Sequence, residues 1–252
     1  MANQKQIRNV HARAYIKEVF AARLEDAGFV CPDEHMLCWY RIVNEDIIQA
    51  VFFFSHWPNL PLNLQIGYGV HPSFVLPLYY TDVCVKNLPW DERLFEMHIR
   101  EGEENVFAPF SDEILVYAPQ AAGHGIETLN SMILPKLNSI QTLEECYREN
   151  RKMYRGTKFG MSLTMIDEAI CLNDVHALEN CKRAVEKMIP FYKAEAEQNP
   201  NQKEYRDSLD RLQIQRAALC ENKREAFLEN ITKRSNKNLA AMKKKYRVFP
   251  QE

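Results

Sequence analysis

The chain has 252 residues, of which 46% are hydrophobic and 26% charged. That is enough for one large domain or two small ones, and it excludes disordered, collagenous and short disulfide-bonded classes. Its 32 Lys and Arg against 34 Asp and Glu leave a net charge of -2, too little for a whole-molecule field that would draw a nucleic acid or a membrane surface.

That average conceals a division. Residues 1–125 hold 9 basic and 16 acidic side chains, net -7, with all three Trp and nine of the thirteen Phe, whereas residues 126–252 hold 23 basic and 18 acidic, net +5. From 4 to 27 the apolar residues Ile7, Val10, Ala14, Val19, Phe20 and Leu24 recur near helical spacing, and Gly28 stands where a left-handed helix end is expected. Strand-like runs at 37–43 and 47–54 follow, separated by Asn44-Glu45-Asp46, a polar link short enough for a hairpin. The second run is apolar on both faces, which predicts a central strand covered on both sides, with the opening helix on one of them. Residues 62–71 alternate: Leu62, Leu64, Ile66, Tyr68 and Val70 on one face, Asn63, Gln65, Gly67, Gly69 and His71 on the other. Further strands are predicted in 74–85 and 114–117, and a helix in 90–99.

Beyond Gly125 the helical period takes over. Thr142 and Glu145 fit a capping box that opens a helix running to about Arg155 and closing at Gly156. A helix over about 157–172 ends near Asn173-Asp174, either of which can cap the next. That next helix carries the stripe Val175, Leu178, Cys181, Val185, Met188, Ile189, Tyr192 and Ala196. After a break at 198–201, Tyr205, Leu209, Leu212, Leu219, Cys220, Phe227 and Ile231 form a second stripe. The two helices, 174–198 and 202–232, are expected to pair as an antiparallel hairpin and to offer a surface for self-association. A basic tail, free of acids from 231 to 247, completes the chain. The predicted architecture is therefore α+β: an N-terminal helix on an antiparallel sheet in 1–125, then a helical region in 126–252 with a long hairpin.

Lys5, Arg8, Arg13 and Lys17 interrupt the first apolar stretch, so no signal-peptide core is read and a cytoplasmic location is expected. No 18 consecutive residues are apolar; the richest run, 47–54, contains Gln49, which argues against a membrane span. The seven cysteines, at 31, 38, 84, 146, 171, 181 and 220, form no CxxC pair and read as free thiols rather than a disulfide or zinc framework.

Chemistry-bearing motifs are sparse. Gly123-His124-Gly125 lacks the Lys-Ser/Thr of a phosphate-binding loop and the three-glycine dinucleotide spacing, and reads as a turn. The seven histidines include no pair at i,i+4, and there is no GxSxG elbow, no SxxK and no protease-like cysteine context. No cofactor or metal is expected. Arg41 projects a guanidinium from the apolar run Trp39-Tyr40-Ile42-Val43 and must find a carboxylate, an aromatic face or an anion. With His56, Asn63, Gln65 and His71 it makes a candidate ligand site on the polar face of 62–71. Lys233, Arg234, Lys237, Lys243, Lys244, Lys245 and Arg247 give the tail a local charge of +7, suited to a polyanion or to folding back on the acidic first half.

Helix, Gly28-Phe29, the Arg-bearing strand Trp39-Tyr40-Arg41-Ile42-Val43-Asn44, then Ile47-Ile48-Gln49-Ala50-Val51 and the Gly67 strand resemble small bacterial domains of unknown function that open in this order. The resemblance covers 4–85 and implies a fold pattern but no reaction and no functional residues. The function expected from the sequence is a non-enzymatic protein-interaction or adaptor module. The alternatives are an enzyme or small-molecule binder on the 62–71 face, and a polyanion-binding tail.

Overall fold

A computed structural model of the protein describes residues 17–31, 38–55, 64–75, 125–127, 129–153 and 159–246. Within it the chain is α+β. Helix α1 (17–26) ends at Gly28, whose φ of 81° is the left-handed conformation that a residue without Cβ adopts freely. Strands β1 (Cys38–Val43), β2 (Ile47–Ser55) and β3 (Leu64–Pro72) form an antiparallel sheet in the order β1-β2-β3. Asn44 and Glu45 turn the first hairpin with φ of 50° and 59°. Arg41 pairs with Gln49, and Ile48 with His71. The predicted elements at 90–99 and 114–117 lie outside the described residues, as does 76–85 of the predicted 74–85 strand; Phe74 and Val75 belong to a turn.

Both faces of β2 are covered, and by different parts of the chain. On one face Trp39, Val43, Ile47, Val51, Phe53, Tyr68 and Val70 pack with Phe20 and Leu24 of α1. The same core takes in Leu129 and Ile133 of a π-helical turn (Leu129–Ile133), Leu134 and Leu137 of α2 (Leu134–Asn138), and Ile140. On the other face Cys38, Tyr40, Ile42, Ile48, Ala50 and Phe52 pack with Leu239 and Met242. Packing thus crosses the composition boundary at 125/126: residues from the basic half cover both sides of the sheet that belongs to the acidic half.

The remaining helices are α3 (Leu143–Met153), α4 (Leu163–Leu172), α5 (Val175–Gln198), α6 (Lys203–Cys220) and α7 (Arg224–Tyr246). The capping box is present at α3, where Thr142 Oγ1 accepts from the Glu145 amide and Glu145 accepts from the Thr142 amide. Asp174 caps α5 by accepting from the His176 and Ala177 amides, after Asn173 has closed α4 in the left-handed conformation. α5 and α6 form the expected antiparallel hairpin, with Ala177, Cys181, Ala184, Val185 and Met188 facing inward. Val175, assigned to that stripe from the sequence, is 66% exposed because it opens the helix before the first buried turn.

The end of the chain departs from the sequence reading. The helix expected over 202–232 stops at Cys220, Asn222 takes a φ of 56°, and a new helix runs from Arg224 to Tyr246. The basic segment is therefore helical and, in keeping with one of the two alternatives read from the sequence, folds back on the acidic first half. Ser73, in the turn after β3, has its carbonyl bonded by Asn238 (2.9 Å), and Lys243 meets Glu45 at 3.0 Å. Deeper in, Asp167 of α4 is fully buried and is held by Arg211 of α6 at 2.6 Å, Arg234 of α7 at 3.1 Å and the Gln215 amide at 2.6 Å. One carboxylate so ties three helices together, its burial made tolerable by two cations and a hydrogen bond. Among the described residues no helix is long and apolar enough to cross a membrane.

Candidate functional site

The residues singled out from the sequence do not gather in one accessible place. Arg41 is 5% exposed. Its Nε donates to Gln49 Oε1 at 3.0 Å, its Nη1 to the Ala27 carbonyl at 3.0 Å and its Nη2 to Asn138 Oδ1 at 2.8 Å, and the guanidinium lies 4.5 Å from the Phe29 ring centroid. Gln49 in turn donates to the carbonyls of Leu137 and Ile140, both at 2.8 Å, at the end of α2 and just beyond it. The pair is a clamp that fastens the sheet to α1 and α2. Burial pulls the Arg41 pKa down, and among the described residues no carboxylate is bonded to it.

His71 lies on the opposite face of the sheet, beneath α7, and is 2% exposed. Its Nε2 has no hydrogen-bond partner, and burial pushes its pKa down to about 4, so the ring is neutral at physiological pH. Arg41 and His71 therefore point to opposite sides of the sheet, each inside a core. Gln65 sits on β3, while His56 and Asn63 lie outside the described residues. Of the basic cluster, Arg234 and Lys243 are held by Asp167 and Glu45. Lys233, Lys237 and Lys244 are exposed, Lys245 belongs to α7, and Arg247 lies outside the described residues.

The Cys146 thiol and the Glu168 carboxyl group are likewise enclosed, whereas Cys220 is exposed. Cys146 and Glu168 are fully buried, with Sγ 3.6 Å from Oε1, and Asn150 Nδ2 donates to the same oxygen at 2.8 Å. Burial raises the Cys146 pKa well above its ordinary value and brings Cys181 up to about 12, far from the thiolate a nucleophile requires. Among the described residues no three His, Cys, Asp or Glu side chains gather to hold a metal ion.

Accessible cavities among the described residues lie beside α3, α4 and α5. Two cavities meet at Arg151. The larger, about 660 Å³, is lined by Glu144, Tyr147, Arg148, Arg151, Leu172 and Asp174. Its charges are matched: Arg148 pairs with Glu144 at 2.9 Å and Arg151 with Asp174 at 3.3 Å, while the Tyr147 hydroxyl donates to the same Asp174 carboxylate at 3.2 Å. The smaller, about 400 Å³, has a different character. Its floor is apolar, built from Phe159, Met161 and Met165 before and within α4 and from Ala177 and Ala184 on the inward face of α5. Its rim is cationic, with Arg151, Arg183 and Lys187, and no carboxylate stands among its described lining residues. Among the described residues Arg183 bonds the neutral Asn180 amide oxygen, at 2.6 Å, and no carboxylate, and Lys187 is exposed.

From the floor of this pocket a row of half-buried rings continues along the hairpin. Phe159 and Phe191 are 5.4 Å apart, Phe191 and Tyr192 5.3 Å, and Tyr192 and Tyr205 6.4 Å, centroid to centroid. Aromatic rings and arginines beside a small apolar floor are the composition of interface centres. The sequence reads Tyr192 and Tyr205 only as members of the apolar stripes, and does not single out Phe159, Arg183, Lys187 and Phe191. The signal was present in the spacing of Asn180, Arg183, Lys187 and Phe191, which at intervals of three and four share one helix face beside the buried stripe.

Among the described residues, fold and site together define an α+β protein with a two-sided three-stranded sheet and a helical region bearing a cationic, aromatic-edged pocket. Comparison with protein-family models, curated proteins and solved structures found nothing that matches this chain.

Proposed function

We propose that the chain is a non-enzymatic protein-interaction module that engages its partner through the α5–α6 hairpin. The observation that carries this reading is the ring row Phe159, Phe191, Tyr192 and Tyr205, half-buried beside a cationic pocket on one accessible surface. Rigid rings with two rotatable bonds supply contact area at small entropic cost, and arginine adds charge and stacking. His71, Cys146 and Glu168 are turned inward instead, each at most 2% exposed. A binder built on Arg41 and His71 draws no support from side chains that face opposite cores. Pairing of two copies through the apolar stripe of α5 is disfavoured as well, since Ala177, Cys181, Ala184, Val185 and Met188 are already packed within one chain.

The test is selection of a random peptide library on the immobilised full chain, with Phe191→Ala/Tyr205→Ala as counter-selection. Peptides retained by the wild-type chain and lost on the variant are expected; equal recovery from both removes the reading.

A further inference from the structure

We infer that the pocket between α4 and α5 is built for an acidic peptide segment with an apolar anchor, its carboxylates meeting Arg183 and Lys187 and its anchor side chain lying on Phe159, Met161 and Met165. This deepens the interaction reading above and rests on it. Four observations converge. The volume, about 400 Å³, stands at the low end of ligand sites and suits a side chain or two rather than a large cofactor. Of the three rim cations Arg151 is paired with Asp174, but Arg183 and Lys187 meet no carboxylate among the described residues, in contrast to the adjoining cavity, where each arginine already has its acid. Unmatched rim cations favour an anionic visitor, since the attraction is not cancelled by an internal partner. The floor contains two methionines, whose unbranched thioethers adjust to differing apolar shapes and make favourable contacts with rings.

The fourth observation is the extent of the surface. The ring row leaves the pocket at Phe159 and runs on to Tyr205 of α6, a length that a peptide can follow and a single small anion cannot. An inorganic anion would also leave the apolar floor uncovered, and a nucleic acid would be expected to track a longer line of cations than Arg151, Arg183 and Lys187 provide.

Two synthetic peptides test this directly, N-acetyl-Phe-Glu-Glu-amide and N-acetyl-Phe-Lys-Lys-amide, titrated into the full chain carrying 13C-methyl methionine. The Met161 and Met165 methyl signals, assigned by Met→Leu substitution, read the floor. The acidic peptide is expected to shift both signals saturably at a concentration roughly tenfold below that needed for the basic one, and added salt should narrow the difference. In Arg183→Glu/Lys187→Glu, with the other methionine signals unmoved as evidence of folding, the preference should reverse. Equal response to both peptides, or an acidic preference that survives the charge reversal, overturns the inference. If the two methionine signals stay silent while library peptides still discriminate the Phe191/Tyr205 variant, the pocket assignment fails and the interaction reading stands. If neither experiment responds, both fall.

Discussion

Glu168 gives this fold a pH dependence that can be worked from its surroundings. It is fully buried in α4, its Oε1 accepts from Asn150 and Cys146, and its Oε2 and Asn150 Oδ1 have no partner. Burial pushes its pKa up from 4.5 to about 8; the neighbouring Asp167 charge adds to this and Arg211 opposes it. The folded protein thus keeps a proton on Glu168 that the unfolded chain releases near 4.5. Folding takes up a proton between those values, and stability falls as pH rises, by at most about 1.4 kcal/mol per unit. His71 acts in the opposite sense. Its pKa is pushed from 6.5 down to about 4, so the unfolded chain binds the extra proton there and stability rises with pH across that interval. The two slopes oppose each other between about 4.5 and 6.5. Among the described residues Glu168 is the group that acts from 6.5 to about 8, since the raised thiols Cys146, Cys171 and Cys181 titrate higher. A decline of about 2 kcal/mol is expected across that window. Urea denaturation followed by circular dichroism from pH 4.5 to 8.5 measures it. Glu168→Gln should flatten the curve above 6.5, and His71→Gln should expose the fall below 6.5. A level wild-type curve from 6.5 to 8, or a decline that persists in Glu168→Gln, refutes the reasoning.

Other perturbations separate the forces that hold the molecule together. Arg41→Ala leaves Gln49 Oε1 buried without its donor and is expected to cost about 1–3 kcal/mol of unfolding free energy by urea titration; an unchanged midpoint would mean the clamp is idle. The docking of α7 on the sheet should depend on apolar burial more than on charge. Met242→Ala, at a fully buried site, is expected to lose about 2–5 kcal/mol, and Lys243→Ala, at a partly exposed ion pair, under about 1 kcal/mol. Polyanion binding by the exposed Lys233, Lys237 and Lys244 is tested by reversing those three charges, since deleting the segment would also remove Leu239 and Met242 from the core. Loss of retention on a heparin column at low salt would support it, and unchanged retention would remove it.

The elements most legible in the sequence are those written in short range. The capping box at Thr142 and Glu145, the Asp174 cap, the left-handed Gly28 and the Asn44-Glu45-Asp46 turn each depend on neighbours within a few residues. The doubly apolar β2 was readable as a central strand because a period-two run without a polar face can only be covered on both sides. Less legible was the helix break at Asn222, where apolar residues before and after it resemble one continued stripe. The residues of the α7 contact were obscured for a related reason: Leu239 and Met242 stand among lysines, so the local composition reads as a basic tail without an apolar stripe.

The site shows the same limit. Arg41 stands out in the sequence because a charge in an apolar strand demands a partner, but whether that partner is a ligand or the Ala27 carbonyl, Gln49, Asn138 and Phe29 depends on residues up to 97 positions away. The charge division of the chain has the same character. The sequence by itself determined an acidic, aromatic sheet followed by basic helices, because composition and periodicity are local properties. Only the tertiary structure decided which charges meet: Lys243 with Glu45 across the two halves, Arg211 and Arg234 with Asp167 inside the helical one, and Arg183 and Lys187 at the open rim of a pocket. Which cation finds an acid is set by the packing of elements far apart along the chain, and charge counting carries no record of it.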